Sequence, residues 1–110
     1  MDEFIKGDIV VVPFPFSDLT GKKRRPALVV ANYGGPDVIS AQITSRAYSD
    51  PLAIPLIENE IEVGTLNRKS FIRPNKLFTS EQSFISYKIG SLKKVKVIAV
   101  ADSLIQIFSM

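Results

Sequence analysis

The sequence predicts a small, mainly β (α+β) domain of antiparallel strands with one C-terminal α-helix. Three observations carry this expectation. Runs rich in β-branched residues recur from Ile9 to Ile72, bounded by Pro, Gly, Asn or Asp. The longest stretch free of Gly and Pro starts at Ser91 and runs to the end, which is long for a strand. The chain has 110 residues and shows no repeat, linker or low-complexity segment, so residues 1–110 are expected to form one folding unit.

The first strand is expected over Asp8 to Phe16, opening with Ile9-Val10-Val11-Val12. Four β-branched residues in succession fit a strand covered on both faces. Pro13 and Pro15 cannot donate to a ladder, so the strand must end or run along an edge there. Ser17-Asp18-Leu19-Thr20-Gly21 is turn chemistry, and Lys22-Lys23-Arg24-Arg25 follows as a basic run. Pro26 to Ala31 forms a second strand, with the proline at its tolerant first position. After the turn cluster Asn32 to Asp37, a third strand spans Val38 to Thr44. It sets Ile39, Ala41 and Ile43 on one face and Ser40, Gln42 and Thr44 on the other.

Ala53 to Ile57 makes a short fourth strand with an edge-type Pro55, and Glu58, Glu60 and Glu62 form an acidic cluster. Ser70 to Pro74 reads as a fifth strand that Asn75 to Thr79 continues after a break. The last stretch has two readings. Ser91 can cap a helix whose apolar stripe is Leu92, Val95, Ile98, Ala101, Ile105 and Phe108. Lys94-Val95-Lys96-Val97-Ile98 also alternates as a strand would, but the length of the segment favours the helix.

Apolar residues make up 45% and charged residues 23%, the balance of an ordinary globular chain. Fourteen Lys+Arg against 11 Asp+Glu give a net charge of +3, which permits a polyanionic partner without demanding one. There is no cysteine, which excludes disulfide scaffolds, thiol catalysis and cysteine-held zinc. There is no histidine, which removes the commonest general base. No apolar run reaches the ~20 residues of a membrane span. The start lacks the basic and long apolar regions of a secretory signal, so no membrane association and a cytoplasmic location are expected.

Several blocks in order resemble MazF/PemK-type toxins. They are Gly7-Asp8-Ile9-Val10, Arg25-Pro26-Ala27-Leu28-Val29-Val30, Ala41-Gln42-Ile43-Thr44-Ser45, Gly64-Thr65-Leu66, Ser70-Phe71-Ile72-Arg73-Pro74-Asn75-Lys76-Leu77 and Ile89-Gly90-Ser91-Leu92. Each is weak alone; their order and spacing from Gly7 to Leu92 make the likeness specific. The resemblance implies an SH3-like barrel of the plasmid-maintenance-toxin type with a C-terminal helix, and it favours the helical reading after Ser91. It implies a homodimer, metal-independent cleavage of single-stranded RNA, no cofactor, and a cognate acidic antitoxin that blocks the site. It also implies a catalytic pair, Arg25 and Thr44.

The implied chemistry suits those residue types. Cutting RNA with its own 2′-hydroxyl needs a group to take the 2′ proton, charge neutralisation at phosphate and a proton for the leaving 5′ oxygen. The planar guanidinium fork of Arg25 can hold two phosphate oxygens, and the Thr44 hydroxyl can donate to the same group. Arginine as a residue type keeps its proton, with a reference pKa of about 12.5–13.8, and so makes a poor base. Some relatives carry a glutamate five positions before the arginine. Here Thr20 stands there, and Asp18 is the nearest acid and the candidate general base.

Lys22, Lys23 and Arg24 are expected as RNA-backbone contacts or surface charge, and Ser45 and Arg46 as neighbours of the site. Ser70, Arg73 and Lys76 are expected as the far wall of an RNA groove. Phe14 and Phe16 face the same side of their strand and suit either base stacking or packing. Lys93, Lys94 and Lys96 read as solubility residues at the helix start. Two further readings stay open: a non-catalytic nucleic-acid- or antitoxin-binding module, and a gyrase-inhibiting toxin of the same barrel family. The Arg25/Thr44 combination favours the nuclease.

Overall fold

A computed structural model describes residues 3–13, 24–46 and 49–110. The described residues form one antiparallel sheet of seven strands and a C-terminal helix. The strands are β1 (Asp8–Pro13), β2 (Arg24–Asn32), β3 (Asp37–Thr44), β4 (Ile54–Leu56), β5 (Ile61–Gly64), β6 (Ser70–Glu81) and β7 (Tyr87–Leu92), followed by helix α1 (Lys94–Phe108). Across the sheet they run β4-β6-β3-β2-β1-β7-β5.

That order forces the sheet to curl. β4 and β5 lie at opposite edges, yet only Ile57 and a 3-10 turn, Glu58–Glu60, separate them along the chain. Five peptide steps reach at most about 18 Å, whereas the edges of a flat seven-stranded sheet would stand about 29 Å apart. Bulges supply the bending, with register shifts at Ile9/Val10, Val29/Ala31, Ala41/Gln42 and Ile61/Val63. Leu56 and Ile61, from the two edges, meet in one core cluster with Ile9, Leu28, Ala41, Ile43, Ile72, Leu92 and Val100. The expected SH3-like barrel is this curled sheet.

A second cluster takes the alternate positions of β1, β2 and β3 with Val10, Val12, Ala27, Val29 and Val38, joined by Ile85 from the segment before β7. β1 is therefore buried on both faces, as its β-branched run predicts. β6 continues past Pro74 as expected, and the break there is a bulge. Ala41 faces Leu77 while Gln42 faces Arg73, so Pro74, Asn75 and Lys76 are extruded between them.

Three details of the C-terminal third differ from the sequence reading. Ser91 does not cap a helix; it lies in β7, and α1 starts one residue after Lys93. The face that α1 buries is Val97, Val100 and Leu104, whereas Val95, Ile98, Ile105 and Phe108 of the expected stripe are exposed. Apolar residues line more than one side of this helix, so periodicity alone could not choose between them. Lys96 is no solubility residue: its Nζ bonds Glu60 Oε2 at 3.0 Å and the Pro55 carbonyl at 2.8 Å. With the Lys93 amide on the Glu60 carbonyl, this pins the start of α1 to the link between the two edges.

Candidate active site

β2 and β3 part company at one end of the sheet. Their ladder runs to Ala27↔Gln42 and stops beside Pro26, which has no N–H to extend it. Both strands continue on their outer partners, β2 against β1 to Arg24 and β3 against β6 to Thr44. Between the parted ends lies a cleft of about 520 Å³. One wall is Arg24, Arg25 and Pro26, a second is Ile43 to Arg46, and the third is Leu66, Asn67, Arg68 and Ser70.

Extending the Ala27↔Gln42 register by two residues sets Arg25 opposite Thr44, on the same face of the sheet. The two residues thus sit on paired neighbouring strands. Thr44 closes a turn at the strand end, its Oγ1 accepting the Arg46 amide at 3.1 Å and lying 3.3 Å from the Arg46 carbonyl. That turn carries Ser45 and Arg46 into the cleft wall.

The charge is one-sided. Arg24, Arg25, Arg46 and Arg68 line the cleft, and among the described residues it has no carboxylate lining and none of the four arginines has an acidic partner. Arg25 Nε is buried and has no hydrogen-bond partner among them. Buried guanidinium nitrogens usually find an acceptor, so this geometry is suited to an anionic ligand.

Of the expected site residues, Arg24, Arg25, Thr44, Ser45, Arg46 and Ser70 come together here. Ser70 is buried, and its hydroxyl donates to the Arg68 carbonyl at 2.9 Å, so it shapes the third wall from beneath. Arg73 and Lys76 do not line the cleft. Arg73 donates through Nε to Asp50 at 2.8 Å, and Lys76 is exposed on the β6 bulge. The far wall is instead Leu66, Asn67 and Arg68, which composition flags only as a short polar-basic stretch before β6. Asp18, Lys22 and Lys23, together with Phe14, Phe16 and Thr20, lie outside the described residues.

Two carboxylates away from the cleft are held below their ordinary range. The Leu52 amide and then Arg73 stabilise the ionised Asp50, against a cost of burial. For Glu60, burial pushes upward, but the Ile57 amide and Lys96 together outweigh it. Among the described residues, no three His, Cys, Asp or Glu side chains are grouped to hold a metal ion, and no helix is long and apolar enough to cross a membrane.

Fold and cleft together define a small curled β-barrel protein with an arginine-lined cleft at the parted ends of β2 and β3. The chain belongs to the PemK-like, MazF-like toxins of type II toxin–antitoxin systems, whose family model matches residues 5–108. Among curated proteins, none matches the sequence significantly. The fold is similar to that of toxin MazF-mt6 of Mycobacterium tuberculosis, with a TM-score of 0.72 and 20% identity over 94% of this chain and 97% of that one. A MazE–MazF crystal structure from Deinococcus radiodurans aligns at a TM-score of 0.75 and 17% identity, covering 100% of this chain and 99% of that one. A mycobacterial endoribonuclease in complex with its cognate antitoxin aligns at 0.75 and 12% identity, covering 100% and 97%.

Proposed function

We propose that this toxin-family chain is an endoribonuclease that cuts single-stranded RNA and so halts translation, with Arg25 and Thr44 as its catalytic pair. The cleft between β2 and β3 carries the reading: four arginines free of described acidic partners line it beside Thr44. A polyanion entering it exchanges water for guanidinium forks in a partly enclosed site, where charge-assisted hydrogen bonds are strongest.

In the reaction the ribose 2′-oxygen forms a bond to the adjacent phosphorus as the bond to the 5′ oxygen breaks. The 2′ proton goes to a base, and the departing 5′ oxygen takes up a proton. The products are a 2′,3′-cyclic phosphate and a 5′-hydroxyl. Arg25 neutralises the charge that builds on the non-bridging oxygens, and the Thr44 hydroxyl turns from the Arg46 carbonyl to donate to one of them. Asp18 is the candidate base. Arg24 and Arg46 hold flanking phosphates, with Lys22 and Lys23 as further backbone contacts.

An antitoxin of acidic and apolar residues is the natural competitor for such a cleft, because carboxylates, like phosphates, pair with guanidinium groups. The chain is proposed to act as a homodimer, and the exposed helix residues Val95, Ile98, Ile105 and Phe108 offer apolar area for a second copy to cover.

The deciding experiment is cleavage of a long single-stranded RNA by purified protein, with the new 5′ ends mapped by primer extension and Arg25→Ala alongside. Discrete cuts at a recurring short sequence, absent from the variant, support the nuclease. Folded protein that binds RNA with a strong salt dependence but makes no cuts would mark a binding module instead.

A further inference from the structure

The connection between β3 and β4, residues 45–53, has a strand to cross. β3 and β4 flank β6 and both pair with it antiparallel, so the chain leaves Thr44, passes over β6 and enters β4 at Ile54. Thr44 pairs with Phe71 and Gln42 with Arg73, two steps apart, so Arg73 shares its face of the sheet with Thr44. On that face Asp50 meets Arg73, its Oδ2 accepting Nε at 2.8 Å. Asp50 Oδ1 accepts the Leu52 amide at 3.0 Å, and its carbonyl accepts the Ala53 amide at 3.3 Å. One residue thus closes the turn into β4 and fastens it to the strand being crossed. The Asp50 side chain is only 8% exposed, so salt screens this pair far less than a surface one.

We infer that Asp50 and Arg73 are positioning residues for RNA binding: their ion pair fixes the connection so that Arg46 stands in the cleft wall before RNA arrives. The inference rests on the RNA reading above. Arg46 lies four residues before Asp50, is exposed, and has no acidic partner among the described residues. On its N-terminal side its backbone is held by the Thr44 hydroxyl. The Asp50–Arg73 pair supplies the hold on the other side. A connection held on both sides of Arg46 has less conformational freedom to lose on binding, which is the advantage of preorganisation. Neither Asp50 nor Arg73 lines the cleft, so both act through residues that do.

The test uses the full chain and a 2′-O-methyl oligoribonucleotide, which lacks the attacking hydroxyl and is bound without being cut. Affinity is measured over a salt series at a temperature where circular dichroism shows each variant folded. Arg73→Ala and Asp50→Asn should each weaken binding about fivefold, the ordering cost of one long side chain. They change net charge in opposite directions, so a loss in both is not a field effect. Their lines of log affinity against log salt should run parallel to that of the unaltered protein, because Arg46 still reaches its phosphate once bound. Arg46→Ala should instead lower the slope by about 0.7. In the Arg46→Ala background, Arg73→Ala should weaken binding no further. With cleavable RNA, the fivefold loss should appear in KM while kcat is unchanged. Asp50→Asn keeps an oxygen for the Leu52 amide and carries the test if Arg73→Ala does not fold.

Unaltered affinity in both folded variants would reduce the pair to a structural role and overturn the inference. So would a lowered salt slope in Arg73→Ala, which would make Arg73 a direct phosphate contact, or a full further loss in the Arg46→Ala background. In each of these cases cleavage that Arg25→Ala abolishes leaves the nuclease standing. Failure of the unaltered protein to bind or cut any RNA would overturn both.

Discussion

Arg73 donates through Nε to Asp50 at 2.8 Å, and this contact ties the connection after β3 to the middle of β6. Asp50 Oδ1 also accepts the Leu52 amide at 3.0 Å, so one carboxylate both closes its own turn and anchors it. The same connection begins with Ser45 and Arg46 in the cleft wall. Arg73, which the sequence reading sets on an RNA groove, is thus paired with the connection that begins in the cleft wall.

The first prediction separates those roles. Arg25→Ala should leave the thermal midpoint nearly unchanged and lower the rate of RNA cleavage about 10²- to 10³-fold, the usual loss for a preorganised charge-stabilising donor. Arg73→Ala should instead lower the midpoint and leave the salt slope of RNA binding intact. Melting curves and binding isotherms on the same preparations check both.

Acid should loosen the molecule at two places. Asp50 and Glu60 are both held below their ordinary values in the folded chain. The unfolded chain therefore binds more protons between the folded and ordinary values, and stability falls as pH drops through that window. The contribution is complete above the ordinary carboxylate values of about 4 and absent below the folded ones. Urea midpoints should decline below about pH 5, and less steeply in Asp50→Asn.

Gly64 and Gly90 mark a backbone crossing between β5 and β7. A Cβ on Gly64 would stand 2.0 Å from the Ile89 carbonyl oxygen, and one on Gly90 would stand 2.2 Å from that of Val63. Gly64 also has φ +85, which side-chain-bearing residues rarely adopt. Gly64→Ala is expected to cost about 3 kcal/mol or more, read from urea unfolding, because backbone must move to admit it.

The buried face of α1 can be checked by a pair of truncations. Val100→Ala, at 2% exposure, should cost about 2 kcal/mol through lost contacts and a cavity. Val95→Ala, at 81% exposure, should stay within about 0.5 kcal/mol. A larger loss for Val95→Ala than for Val100→Ala would mean that the helix docks by the other face.

Much was legible in one dimension. The run Ile9 to Val12, the alternation to Thr44 and the Gly- and Pro-free tail locate β1, β3 and the helix, because strand and helix periods are local properties. The blocks around Arg25 and Thr44 likewise mark residues that the structure gathers into one cleft. β5 and β7 were not read as strands. They are short and glycine-bearing, and their pairing rests on the Gly64/Gly90 approach, a contact between distant segments.

By itself, then, the sequence determined the strands other than β5 and β7, the C-terminal helix, the family and the residues at the parted ends of β2 and β3. Tertiary structure alone decided which face of α1 is buried, that Arg73 belongs to Asp50, and that Arg68 lines the cleft. Local periodicity sets what a segment becomes. Which side chains meet is set by closure of the sheet, which brings β4 to β5 across four residues of chain and bends β6 at its bulge.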